Sequence, residues 1–334
     1  MKATIRLLTA SAALVGAFAV GAGNASAKDL KIAAISGYFS QGFGIAIIDG
    51  LEKAKKDFGV EVKIVDTGNR ALDYEEQFNN LAKGGEYDLV YVMGWELVDA
   101  LSKTHEAYPD QRFIFIDGVL DSPGMTYIDF NEEEGSYLVG ALTGLLTKEG
   151  VEGFDSGSEV GFVGGRDIPV IRNFLYGMQQ GVEDQSPEVS VTPVFTGTFD
   201  DPAKGSELAM TLYGQGIDVI YQAAGPSGEG VLQAAKAADK FAVGVDIDQC
   251  PTAPGHILAS MLKRADVAVY DLIGKVVNGE ELVNGPVSYG VASGGVDLKV
   301  CDEVADRIPA TVLEQLEAVK AGIADGSIVV ELNQ

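Results

Sequence analysis

The sequence is poor in the residues that metal sites and nucleophilic catalysis require. Its 334 residues include only two histidines, His105 and His256, and two cysteines. Neither histidine has a second ligand at a spacing typical of zinc sites. No G-x-S-x-G motif is present to place a catalytic serine on a sharp turn. The sequence therefore predicts no catalytic residues and no metal site.

Positive charge is scarce too. Lys and Arg number 24 against 49 Asp and Glu, so the formal net charge is −25. Nucleic acids and anionic membrane surfaces are bound through basic patches, so neither is expected as a partner. The carboxylates form no EF-hand pattern, and an acidic, solvated surface is the simpler interpretation of the charge.

Apolar runs long enough to span a membrane are absent after residue 27. Before it, Lys2 and Arg6 precede the apolar run LLTASAALVGAFAV, and residues 25–27 read Ala-Ser-Ala. A basic start, a short apolar run and an A-x-A site are typical of a cleavable signal peptide. Residues 1–27 are therefore predicted to direct export to the periplasm. With no cysteine near the cut, we expect neither a lipoprotein nor direct membrane insertion.

Cys250 and Cys301 leave two alternatives open. In an oxidising compartment they could form a disulfide. They could equally remain two partly buried thiols.

Strand-like and helix-like segments alternate through the rest of the chain. Apolar runs such as KIAAI and FIFID alternate with amphipathic segments such as GIAIIDGLEKAKKDF. This alternation predicts an α/β fold with mostly parallel sheets. The segments EYDLVYVMGW and GIDVIYQAAG share a pattern about 130 residues apart, which indicates two similar, doubly wound lobes.

The predicted lobes are discontinuous in sequence. Residues 28–130 and about 258–285 form the N-terminal lobe, and about 131–257 and 286–334 form the C-terminal lobe. In open α/β sheets ligands bind beyond the carboxyl ends of the strands, so the cleft between the lobes is the expected site.

The turn SGYFSQGFG after the first strand is rich in glycine, as cofactor-binding loops are. Its glycines are spaced G-x4-G-x-G, which is neither the dinucleotide pattern G-x-G-x-x-G nor a P-loop. No cofactor is predicted. Aromatic and acidic residues instead collect at strand ends, a combination that suits a flat ring carrying hydroxyls, such as a nucleoside. The aromatic and acidic candidates are Phe43, Trp95, Asp117, Phe199 and Asp246, and Gly225, which ends the strand of the second shared segment, is added to them.

Longer motifs resemble a known family. The stretches FTGTFDDPAKGSELAMTLYGQGIDVIYQAAGPSGEGVLQAAK, GVDIDQCPTAPGHILASMLKRADVAVYDLI, DFNEEEGSYLVGALTG and GFVGGRDIPVIRNFLYGMQQG are similar to the basic membrane protein (BMP) family. These are purine-nucleoside receptor-like binding proteins of ABC importers. The resemblance covers essentially the whole chain after residue 27, and it implies a type I periplasmic binding protein fold that closes like a clamshell.

The resemblance also implies roles for individual residues. Phe43 would stack on the base, with Phe199, or alternatively Phe174, on its other face. Asp246 and Lys263 would hold the sugar hydroxyls, and Gly225 would let the backbone approach the ligand.

The sequence departs from the family in the first turn. Ser40 stands where the family commonly has an Asp, and Gly44 stands where it has an Asn. Two polar contacts to the base are therefore lost or replaced, and a free base or another ligand remains open.

The expected function is capture of a purine nucleoside or nucleobase by a monomeric periplasmic protein that delivers it to an ABC transporter permease. Two alternatives stay open. The ligand could be a sugar or a signalling molecule destined for a sensor, or the chain could hydrolyse nucleosides.

Overall fold

The computed structural model describes residues 30–40, 42–68, 70–120, 122–151, 153–154 and 158–332. The predicted signal peptide lies outside them. Within these ranges, no helix combines the length and the apolar character needed to cross a bilayer.

The first sheet has six strands, all paired in parallel. Its central strands are buried along their whole length, because helices cover both faces of a parallel sheet. In spatial order the strands are β11 (Gly285–Tyr289), β5 (Thr126–Phe130), β4 (Phe113–Ile116), β3 (Leu89–Met93), β1 (Lys31–Ser36) and β2 (Glu61–Asp66).

The second sheet repeats this arrangement, with one antiparallel strand at its edge. In the corresponding order its strands are β12 (Val296–Val300), β10 (Ile257–Lys263), β9 (Phe241–Asp246), β8 (Val219–Ala223), β6 (Glu159–Gly164) and β7 (Ser190–Phe195). The two segments that share a sequence pattern form β3 and β8, which hold the same place in the two sheets. The predicted α/β fold with two doubly wound lobes is confirmed.

Helices pack on both sheets. They are α1 (Gly42–Phe58), α2 (Tyr74–Ala82), α3 (Val98–Ala107), α4 (Glu132–Lys148), α5 (Pro169–Gln185), α6 (Pro202–Gly214), α7 (Pro226–Ala238), α8 (Ala265–Val277), α9 (Asp302–Ala305) and α10 (Ala310–Asp325). Helix α4 packs directly along α5. A Cβ on Gly140 would lie only 2.8 Å from the backbone nitrogen of Val182, so glycine permits this close approach.

Strand pairing corrects two of the expected boundaries. Strand β10, assigned to the N-terminal lobe by the boundary at about 258, pairs with β9 and β12 in the second sheet. Strand β11, assigned almost entirely to the C-terminal lobe by the boundary at 286, pairs with β5 in the first sheet. The chain therefore returns to the first lobe only after Lys263, because β10 extends the parallel part of the second sheet beyond β9. It leaves that lobe again after β11.

Cys250 and Cys301 are joined in a disulfide with a Cα–Cα distance of 5.6 Å. The bond connects the 3-10 turn after β9 to the end of β12, and both residues are buried. The structure thus selects the first of the two alternatives left open by the sequence.

Candidate functional site

A cavity of about 420 Å³ lies between the two sheets, at the carboxyl ends of their strands. Its walls come from both lobes: the ends of β3 and β4 on one side, and the ends of β8 and β9 with the turn after β6 on the other. Its volume falls within the range of small-molecule sites, which is about 300–1,000 Å³. The duplicated topology therefore forms one shared site in the cleft, as expected for open α/β sheets.

Most of the predicted site residues line this cavity. Those that do are Phe43, Trp95, Asp117, Phe199, Gly225, Asp246 and Lys263. Ser40 does not: it is exposed, in a tight turn whose neighbour Phe39 is directed into the core. Gly44 lies against this turn, and a Cβ there would be 2.7 Å from Cα of Phe39. The glycine therefore has a packing role where the family resemblance implied a polar contact.

Aromatic rings from both lobes face the cavity. Phe43, at the start of α1, packs edge-on against Phe130 at a centroid distance of 5.8 Å. Phe199, from the other lobe, lies over Gly165, where a Cβ would be 3.1 Å from its Cζ. Both rings thus pack against other residues of the protein, and such contacts hold a ring in place for stacking on a ligand. The alternative candidate Phe174 is buried on α5 and also lines the cavity.

Trp95 lies in a 3-10 turn (Trp95–Leu97) that follows β3. It is 38% exposed, and its ring meets Phe115 edge-on at 5.5 Å. The ring covers Gly118, whose missing side chain leaves the necessary space: a Cβ there would be 2.7 Å from Cζ2 of Trp95.

Lys263 is the cation at the inner end of the cavity. It is the last residue of β10, and only 1% of it is exposed. Its ammonium donates to Asp117 and lies 3.9 Å from Oε2 of Glu132. The rings of Phe43 and Phe174 lie with their centroids 5.1 Å from the nitrogen, within the range of cation–π contacts.

Two carboxylates of this inner cluster, Glu132 and Asp246, have raised pKa values. Burial raises the pKa of Glu132 to about 8 and that of Asp246 to about 6; Lys263 lowers both, and Asp117 raises both. Burial alone would lower the pKa of Lys263, but Asp117, Glu132 and Asp246 outweigh it and hold that pKa above its usual value. The inner end therefore contains one firmly protonated amine and several acceptor oxygens.

Asp117 and Asp246 occupy equivalent places in the two lobes. Asp117 directly follows β4 and Asp246 ends β9, the third strand in the spatial order of each sheet. Both have left-handed backbone, with φ of 79° and 68°. Such a conformation is uncommon outside glycine but tolerated by Asp.

Sequence reasoning missed three polar residues in or beside the cavity. Glu132, the first residue of α4, is not among the predicted site residues, yet its carboxylate turns inward to Lys263 and accepts a 2.9 Å hydrogen bond from Asn173. Glu96 and Arg166 line the outer part of the cavity, one from each lobe. Glu96 directly follows Trp95, which is a predicted site residue. Its position next to Trp95 in the sequence could therefore have indicated that it lies in the site.

The histidines lie away from the cavity. Nε2 of His105 is 3.1 Å from the carbonyl oxygen of Pro123, and Nδ1 of His256 is 3.1 Å from that of Lys240. In the described part of the chain, no group of three or more His, Cys, Asp and Glu side chains could hold a metal ion.

Comparison with known proteins gives a consistent result. The Bmp family, described as "ABC transporter substrate-binding protein PnrA-like", matches residues 35–334. The "CD4+ T-cell-stimulating antigen" of Listeria monocytogenes is 31% identical over 91% of this chain and 89% of its own length. The "ABC transporter nucleoside-binding protein BmpA" of Lactococcus lactis is 30% identical, covering 97% of this chain and 96% of that protein.

A solved structure is similar over nearly the whole fold. A solute-binding protein of an ABC transporter system from Aeropyrum pernix superimposes with a TM-score of 0.79 at 25% identity, covering 91% of this chain and 94% of that one. Relatives from Pyrococcus species are named lipoproteins, so the prediction that this chain carries no lipid anchor finds no support among them.

Proposed function

The chain belongs to the Bmp family of PnrA-like ABC transporter substrate-binding proteins, and on that premise we propose that it captures a purine nucleoside or nucleobase between its lobes. Membership makes it a solute-binding protein rather than an enzyme, with a small-molecule ligand and a transporter permease as partners. We place its action in the periplasm, where the predicted signal peptide would send it. Since one chain supplies both walls of the cavity, we propose a monomer.

The observation that carries the proposal is the pairing of stacking rings with hydroxyl acceptors. Phe43 and Phe199 present rings from opposite lobes, while Asp117, Asp246 and Lys263 lie together at the inner end. A nucleoside has a flat ring that stacks and vicinal hydroxyls that donate to carboxylates. The Lactococcus relative, which is named nucleoside-binding, supports the same ligand class.

Calorimetry against adenosine, guanosine, inosine and the free purine bases tests this proposal. If no ligand binds more tightly than about 0.1 mM, which corresponds to about −5.5 kcal/mol, the proposal is wrong. Phe43→Ala and Asp246→Asn should each weaken binding by about 1–3 kcal/mol through lost stacking or hydrogen bonding.

Matched controls separate site effects from general damage. Phe58→Ala removes a ring that stacks on Tyr270, away from the cavity. Asp248→Asn alters an exposed carboxylate two residues beyond Asp246. Both controls should bind like the wild type. Unchanged affinity in both Phe43→Ala and Asp246→Asn would contradict the assignment of these residues.

A second candidate ligand class follows from the first turn. Ser40 faces solvent and Gly44 has no side chain, so neither position offers a side-chain contact to a base. A sugar or a signalling molecule destined for a sensor would not need those contacts. Binding of a monosaccharide but of no purine would favour this alternative.

A further inference from the structure

Two buried glutamine side chains lie in the second lobe, next to the strand ends that line the cavity. They are Gln222 on β8 and Gln249 in the turn after β9. Their amides are bonded to each other, since Nε2 of Gln222 donates to Oε1 of Gln249 over 2.8 Å. A buried amide is costly unless its polar atoms are paired. The other hydrogen bonds of this amide pair therefore show what it supports.

Each glutamine completes the hydrogen bonding of a backbone N–H at a strand end. Oε1 of Gln222 accepts from the backbone nitrogen of Ala224 at 3.1 Å, and Oε1 of Gln249 accepts from that of Val245 at 2.8 Å. The ladder between β8 and β9 ends before either residue. A buried N–H beyond the end of a ladder still needs an acceptor, and the two amides supply it.

Two glycines leave the space that the amides occupy. A Cβ on Gly228 would lie 1.8 Å from Oε1 of Gln222, and a Cβ on Gly244 would lie 2.7 Å from Oε1 of Gln249. The backbone nitrogen of Gln249 also donates to Oγ of Ser260 on β10 at 3.0 Å. Close packing and hydrogen bonds together therefore fix the positions of both amides.

The residue that follows each paired N–H belongs to the cavity wall. Gly225 follows Ala224, Asp246 follows Val245, and both Gly225 and Asp246 line the cavity. Both have positive φ, 54° and 68°. For Asp this conformation costs free energy and persists only where the surroundings hold it. The amide pair thus acts at the two points where the chain leaves its strands and enters the site.

The first lobe has valine where the second lobe has Gln222. The strand registers make Val92 of β3 the counterpart of Gln222 on β8, and a valine side chain forms no hydrogen bond. Since the two sheets share one strand order, the fold itself does not require an amide at this place. The amide pair is therefore explained better by the site than by the fold.

We propose that Gln222 and Gln249 are positioning residues for the cavity. By holding Gly225 and Asp246 in place, they let the protein prefer a nucleoside with vicinal ring hydroxyls over one that lacks them. The inference rests on the proposed function, in which Asp246 accepts from those hydroxyls. A hydrogen bond weakens steeply as its distance and angle depart from their preferred values, so a small displacement of Asp246 would weaken this contact, whereas stacking of the base would not depend on the amide pair.

Calorimetry with adenosine, guanosine and inosine, each beside its dideoxy form without the vicinal hydroxyls, tests the inference. The wild type should bind a ribonucleoside at least about tenfold more tightly than its dideoxy form, because hydrogen bonds to a charged group are lost. Gln249→Met keeps most of the side-chain volume but removes the acceptor for Val245 and Gln222, and it should lower this ratio at least about threefold. A variant that merely loses stability would bind both ligands more weakly and keep the ratio.

Hydrogen–deuterium exchange of the ligand-free protein gives a second measurement, which does not depend on the ligand class. Gln249→Met should speed exchange in residues 244–250, and Gln222→Met should speed it in residues 222–226, because each change removes the acceptor of one strand-end N–H. The rest of the chain should exchange like the wild type. If Gln249→Met does not fold, Gln222→Met, which keeps the acceptor for Val245, serves for both measurements.

Gln233→Met is the matched control, because its side chain is exposed on α7. It should keep the wild-type ratio and the wild-type exchange. A wild-type ratio near one, an unchanged ratio in the variants, or faster exchange spread evenly over the chain overturns the inference while purine capture stands. If no purine nucleoside or base binds the wild type, both are overturned.

Discussion

Replacing Lys263 by methionine would remove the only positive charge of the inner cluster while keeping most of the side-chain volume. The buried Glu132 and the half-buried Asp117 and Asp246 would then lie together without the ammonium that now acts on all three. The expected result is a large loss of stability that depends on pH.

The size of the loss follows from the geometry. At the 3.9 Å between Nζ of Lys263 and Oε2 of Glu132, a pair of charges interacts by about 4 kcal/mol with an effective dielectric constant of about 20. Breaking a buried ion pair from one side typically costs about 3–5 kcal/mol. In the folded variant, protonation of the carboxyl groups would limit the cost of the lost ammonium. We therefore expect the free energy of unfolding to fall by about 3 kcal/mol near pH 8.5.

The pH dependence has a definite sign. Burial already raises the folded-state pKa values of Glu132 and Asp246 to about 8 and about 6, and loss of Lys263 would raise them further. A carboxyl with a raised folded-state pKa contributes stability in acid that is lost as pH rises through that value. The Lys263→Met loss should therefore shrink to about half between pH 8.5 and pH 5.5, where Glu132 and Asp246 are mostly protonated.

Urea unfolding at both pH values measures the effect. Lys275→Met is the control, because its ion pair with Asp271 lies at the surface and should contribute less than about 1 kcal/mol. The double variant Lys263→Met/Glu132→Gln should recover part of the stability that Lys263→Met loses. A Lys263→Met protein within 1 kcal/mol of the wild type near pH 8.5, or one whose loss grows in acid, would refute this reasoning.

Two further predictions concern the ring platform and the disulfide. Gly165→Ala should push Phe199 from its place and weaken nucleoside binding about tenfold, whereas Gly214→Ala, where a Cβ meets nothing within 4 Å, should leave affinity unchanged; equal calorimetric affinities would contradict the role of Phe199. Replacing both Cys250 and Cys301 by serine should lower the free energy of unfolding by about 4 kcal/mol, because the 51-residue separation leaves the unfolded chain freer. A loss below about 1 kcal/mol in urea unfolding would contradict this account.

The fold was predictable because duplication and alternation are visible in the sequence. Buried parallel strands appear as continuous apolar runs, and the shared pattern of β3 and β8 identifies equivalent strands. Residues at strand ends, such as Asp117 and Asp246, could be placed in the cleft because the carboxyl ends of parallel strands meet there. The lobe boundaries were harder to predict, because the sequences of β10 and β11 do not indicate which sheet each strand joins.

Turn residues were the least predictable part of the site. Ser40 and Glu96 both lie near strand ends, yet one faces solvent and the other lines the cavity. The difference depends on how each turn packs: Phe39 enters the core beside Ser40, and Gly94 leaves space for the Glu96 carboxylate. A sequence pattern places a turn beside the cleft, but it does not determine which of its side chains points inward.

The two halves of the fold are alike in strand order but unlike in charge, and this difference limits what the cavity can bind. Strands β5 and β10 are equivalent, but one ends in Phe130 and the other in Lys263. A lysine at residue 130 would balance the carboxylates but remove the ring that supports Phe43. With one ammonium beside three carboxyl groups, of which Glu132 has a pKa raised to about 8, the inner end has more acceptor oxygens than the ammonium can satisfy. It therefore suits ligand hydroxyls, which donate, and it disfavours a phosphate, whose negative charge would meet Asp117 and Asp246.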